Sequence, residues 1–195
     1  MPLPPTLNLT FEEYLTYDDG TDNRYELVDG DLVMVPLPTA DHSDVIDLLS
    51  DTFRAEINRL GSSWKEGRDV GVYIGINPVT GLERSRTPDL CVMTNVQWAG
   101  LKADKTKSAV LRNPPLLVVE VVSPGSKKTD YESKESGYSR VGILEYWIVD
   151  LLKSKVSVLL LQDGRYSRSE FGGSNQIISQ TFPELALTAE VVLSA

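Results

Sequence analysis

One cysteine and one histidine are all that this chain of 195 residues offers. Cys91 has no second thiol to pair with, which points to a reducing, cytoplasmic setting. With His42 as the single histidine, a zinc site of the usual composition is ruled out. Long apolar runs are also missing. No stretch approaches the roughly 20 residues needed to span a bilayer, so no membrane partner is expected. The opening Met1-Pro2-Leu3-Pro4-Pro5 has neither the basic region nor the apolar core of a secretory signal. Basic residues are scarce in one region only. Residues 1–60 carry 13 acidic and 3 basic side chains, whereas residues 61–195 carry 15 and 16. The net charge of −9 therefore belongs to the N-terminal part, and the remainder is balanced enough to meet a polyanion. Repeats, low-complexity segments and linkers are absent, which predicts a single domain over residues 1–195.

What is present reads as an α/β chain. Thr10-Phe11-Glu12-Glu13 fits a capping box for a short helix to about Tyr17. Tyr25–Val28 and Asp31–Val35, joined by Asp29-Gly30, predict a hairpin. Residues 43 to 60 place Val45, Ile46, Leu48, Leu49, Phe53, Ile57 and Leu60 on one helical stripe that stops at Gly61. Strands are expected at 70–76, 90–93, 116–122, 145–150 and 155–161, with a helix from about Thr129 to Val141. Residues 95 to 114 read as a long connection carrying Lys102, Lys105, Lys107 and Arg112. The sum is a mixed sheet flanked by helices, with an N-terminal helix and hairpin. The step through residues 116–150 is long enough for a parallel crossover.

Glu120 stands out inside this frame. Leu116-Leu117-Val118-Val119-Glu120-Val121-Val122 reads as a strand covered on both faces. A carboxylate there must be offset by a cation, a metal or a shifted proton, because an unpaired buried charge costs several kcal/mol, roughly. Asp89 precedes Leu90-Cys91-Val92-Met93, and Pro88 is allowed where a strand begins. The two carboxylates are plausible neighbours on adjacent strands. Converging carboxylates repel unless a cation lies between them, and a few hard oxygens suit Mg²⁺ or Mn²⁺.

The ordered pieces Arg24-Tyr25-Glu26-Leu27-Val28-Asp29-Gly30, His42 opening a helix, Pro88-Asp89, Val118 to Pro124, and Asp130, Lys134 and Tyr138 ahead of Gly142 to Asp150 resemble the bacterial Uma family. That family falls within the restriction-endonuclease-like PD-(D/E)XK superfamily. The resemblance covers roughly residues 10 to 160. It implies a restriction-endonuclease-like fold, DNA as substrate, and Asp89, Glu120 and the carbonyl of Val121 as ligands of one Mg²⁺. The superfamily lysine usually stands two residues after the Glu, where this chain has Val122. The resemblance places it on the following helix, at Lys134. Asp130, Lys134 and Tyr138 lie four apart and would share one helix face.

Other assignments stay open at the level of sequence. Glu26 is either a further carboxylate of the site or the cross-strand partner of Arg24 or a lysine. His42 is read first as a helix-start residue satisfying backbone N–H groups. Lys127 and Lys128 are either a solvated loop or a phosphate clamp. Tyr146-Trp147 is most simply core. Two functions from different classes compete: a metal-dependent phosphodiesterase acting on DNA, and a non-catalytic module that keeps the fold for binding or dimerisation. A homodimer is expected, because the apolar strand Val156 to Leu161 would need cover at an exposed edge.

Overall fold

The computed structural model describes residues 7–123 and 129–195. Thr10 caps α1 (Phe11–Leu15) in the expected box: its hydroxyl accepts from the Glu13 N–H while Glu13 accepts from the Thr10 N–H. β1 (Tyr25–Val28) and β2 (Asp31–Met34) pair antiparallel, and Asp29 and Gly30 both take positive φ, as the tight turn requires. α2 (Ala40–Leu60) begins three residues earlier than its apolar stripe suggested, because Thr39 caps it. Gly61 ends it in the left-handed region.

The remaining elements are β3 (Trp64–Gly67), β4 (Gly71–Ile76), β5 (Glu83–Arg86), β6 (Leu90–Thr94), α3 (Asn95–Ala103), β7 (Val110–Leu111), β8 (Leu117–Val121), a π-helical turn (Thr129–Lys134) leading into α4 (Glu135–Val141), β9 (Glu145–Asp150), β10 (Lys155–Gln162), β11 (Arg165–Phe171) and α5 (Ala189–Leu193). The mixed α/β class stands, with the strands divided between two sheets. One runs β2-β1-β5-β4-β7 and the other β11-β10-β9-β8-β6-β3. β8 and β9 are parallel neighbours, as the length of their connection suggested.

Three expectations change. Residues 95–114 are not an open connection: Thr94 and Gln97 form a capping box for α3, and β7 follows. The strand Val156–Leu161 is not an edge, since β10 pairs with β9 on one side and β11 on the other. The edge argument for a homodimer goes with it. β3 and β5 were not expected as strands at all, because Trp64-Lys65-Glu66-Gly67 and Glu83-Arg84-Ser85-Arg86 carry almost no apolar residues.

The six-stranded sheet is covered on both faces. Leu117, Val119 and Val121 of β8 join Leu49, Phe53 and Trp147 in one cluster under α2. Val118 and Val122 join Ile74, Tyr138 and Tyr146 in another, between this sheet, β4 and α4. The side-chain period of two along a strand therefore sends Glu120 toward α4.

Candidate active site

Glu120 is 2% exposed, and its two oxygens are both engaged. Lys134 Nζ lies 2.6 Å from Oε2, and the Tyr138 hydroxyl donates to Oε1 at 2.7 Å. The same ammonium is 3.1 Å from Asp130 Oδ1. Asp130, Lys134 and Tyr138 thus converge as their spacing predicts, although the turn from Thr129 to Lys134 is π-helical rather than α. Lys134 is no solvated surface lysine: it is 8% exposed. Burial pushes the Glu120 carboxyl well up, Lys134 opposes this, and Asp89 and Asp130 add to it. Burial also works against charge on Lys134, but Glu120, Asp130 and Glu26 outweigh it and hold the amine cationic. The two tendencies compete for one proton. An ammonium within reach of two carboxylates settles the competition in favour of the lysine.

Asp89 lies one residue before β6, on the rim. Leu90 pairs with Val119, so the next step outward brings Asp89 opposite Glu120. Asp89 Oδ2 accepts from the Val121 N–H at 2.7 Å. His42 Nε2 is 3.2 Å from the same oxygen. The first-choice reading of His42 is therefore corrected: Thr39 caps the helix start, and the imidazole turns to Asp89 instead. Burial opposes a proton on His42, but Asp89 and the backbone of Val121 raise its pKa overall.

Glu26 pairs with neither Arg24 nor a lysine. Its oxygens accept from Arg86 Nη1 and the Thr87 N–H, both at 2.8 Å. Arg24 pairs with Asp69. Arg86 also donates to Ser133 at 3.1 Å and so ties the five-stranded sheet to the turn that carries Lys134. Arg86 escaped sequence reading because its strand is nearly all charge; its place two residues before Pro88-Asp89 was the available signal. Lys127 and Lys128 lie outside the described residues.

Glu26, His42, Asp89, Glu120, Asp130 and Lys134 line one cleft of about 680 Å³, with Val33 to Pro38 as an apolar wall. Four of these are carboxylates; among the described residues Arg86 pairs with Glu26 and Lys134 with Glu120 and Asp130, while Arg24 and Arg68 also line the cleft. That donor chemistry fits a hard divalent cation, which would relieve the excess negative charge. Among the described residues no three His, Cys, Asp or Glu side chains form a metal cluster.

A solved structure from Anabaena variabilis, titled a putative nuclease belonging to DUF820, matches with a TM-score of 0.73 and 17% identity, over 95% of this chain and 98% of that one. At that identity the likeness establishes the fold. The chain belongs to the Uma2 family, described as "Putative restriction endonuclease", whose model matches residues 11–190. No curated protein matches the sequence.

Proposed function

We propose that the protein is a metal-dependent endonuclease that hydrolyses phosphodiester bonds in DNA. The observation that carries this reading is the buried Glu120–Lys134 pair set beside Asp89 at the floor of an open cleft. Family membership supports the nuclease class and, through it, DNA as substrate. Asp89, Glu120 and the carbonyl of Val121 would hold Mg²⁺ or Mn²⁺. When bound, the ion lowers the pKa of a water ligand and offsets charge building on phosphorus. Each Glu120 oxygen keeps a second lone pair for this role beyond its bond to Lys134 or Tyr138.

The side chains divide the remaining work. Lys134 orients the attacking water and neutralises charge in the transition state. Tyr138 fixes the Glu120 carboxylate, and His42 with the Val121 N–H fixes Asp89. Glu26 acts through Arg86, which braces the turn bearing Lys134.

The test pairs cleavage with metal binding. Mg²⁺ or Mn²⁺ at a hundredfold excess over Kd should stabilise the wild type by about 2.7 kcal/mol. Asp89→Asn with Glu120→Gln should remove that gain. Lys134→Met should keep the gain while losing about 10²–10³ of kcat on duplex DNA. Cleavage by Lys134→Met at the wild-type rate would sink the assignment of the lysine. The second reading, a non-catalytic module, is favoured by one observation: both Glu120 oxygens are already occupied within the protein. No metal-induced stabilisation of the wild type, together with no cleavage, would decide for it.

A further inference from the structure

Arg84 is the least explained charge among the described residues. It lies in the interior of the five-stranded sheet, is 8% exposed, and its Nε and Nη2 are buried without a hydrogen-bond partner. Among the described residues it has one facing carboxylate, Asp29, whose Oδ1 stands 3.9 Å from Arg84 Nε. That oxygen is already taken by Asn77 Nδ2 at 2.7 Å and Thr80 Oγ1 at 3.4 Å. Buried polar groups are normally satisfied, so an unsatisfied guanidinium calls for an anion.

Other cations gather near it. Arg86 follows two residues later on the same face of β5, about 7 Å further along the strand. It spends Nη1 on Glu26 and Nη2 on Ser133, and its buried Nε has no partner. Arg140, exposed on α4, lies one turn after Gly137, which packs on Ile74 of β4 beside the Gly75–Arg84 strand pair, and it makes one long bond to Ser136 Oγ at 3.4 Å. Burial first and Arg140 second lower the Arg84 pKa, Asp29 raises it and Arg86 lowers it further. Arg84 thus has one carboxylate, Asp29, already held by Asn77 and Thr80, and Arg86 has one, Glu26, which also accepts from the Thr87 N–H. None of the three arginines lines the cleft that holds Asp89 and Glu120.

We propose that Arg84, Arg140 and the unpartnered Nε of Arg86 form a site for a phosphate group, separate from the Asp89–Glu120 centre. The planar, forked donors of arginine match a phosphate oxyanion. Assigning that phosphate to a DNA backbone, beside the one cleaved, rests on the nuclease reading. The site itself does not.

Two measurements test it on the full chain without metal. In the first, inorganic phosphate should raise the wild-type Tm. Arg84→Met should abolish that rise, and Arg140→Gln, an exposed change that leaves the core alone, should at least halve it. A rise equal in all three proteins, or absent from the wild type, overturns the site. In the second, a labelled DNA duplex is titrated in EDTA at several salt concentrations. Arg84→Met and Arg140→Gln should each weaken binding several-fold and flatten the dependence of log K on log salt by about one contact's worth, near 0.9. Loss of the phosphate effect with unchanged duplex affinity would leave the site to free phosphate and overturn the backbone assignment. A wild type that binds no duplex would sink the nuclease reading, and the phosphate measurement would still decide the site.

Discussion

Residues that carry charge into the interior do so in company, and the company decides what each can do. Lys134 places one ammonium between Glu120 and Asp130. Lys134→Met takes from buried Glu120 the ammonium that pairs with it, at a cost of about 3–5 kcal/mol. Adding Glu120→Gln should recover part of that loss in urea unfolding, because the orphaned charge is then gone. Equal stability of the single and double variants would mean that the pair is not charged. Cys91 shows the opposite case, a reactive group silenced. It is fully buried in β6, and burial pushes its thiol up to about 12. A thiol that forms no thiolate and meets no solvent does not react. A thiol reagent at pH 8 should label Cys91 only at the rate of unfolding; labelling within seconds in native buffer would show that β6 opens.

Elements fit together through a few close approaches. Gly137, a poor residue for a helix interior, sits where α4 crosses β4. A Cβ there would come 2.8 Å from Ile74 Cδ1, and Ile74 is itself fully buried. Gly137→Ala gains up to about 1 kcal/mol of helix propensity. It meets an overpacking cost of about 1–3 kcal/mol. The packing cost should win, giving a small net loss. Ile74→Val, which removes the offending methyl, should turn the same glycine change stabilising in a double-mutant cycle. Independent effects would mean that the glycine serves some purpose other than close approach.

Across the whole molecule, the tail is held by another buried carboxylate, Glu145. It accepts from Trp147 Nε1, Ser179 Oγ and the Thr181 N–H, each at 2.7 Å. The bonds lock residues 176–188 against β9 and let Phe182 and Leu185 complete the core under α2. Glu145→Ala should cost about 3 kcal/mol, since it strands three donors, two of them buried. Limited proteolysis should then cut within this segment; resistance equal to the wild type would show that apolar packing alone holds it. Oligomeric state belongs to this scale too. The free edge of the six-stranded sheet at β11 is largely exposed and carries Arg165, Arg168 and Glu170, charges that discourage strand-to-strand pairing. Light scattering at micromolar concentration should therefore give no dimer built on that edge, and a dimer abolished by substitutions in β11 would contradict this.

The sequence by itself determined the local pieces: the capping box at Thr10, the Asp29-Gly30 turn, the stripe of α2 and the covered strand around Glu120. Each is written in spacing and composition over a few neighbouring residues. It also singled out Glu120, a carboxylate in an apolar strand, and Asp89 at the start of its neighbour; Lys134 came from the family resemblance. The division into two sheets was decided by tertiary structure alone, since β3 and β5 earn their places through pairing partners rather than apolar content. His42 turned to Asp89, and Glu26 to Arg86, across 47 and 60 positions of chain. Such pairs leave no periodic trace; only the packing that brings distant strands and helices to one rim decides which charge meets which.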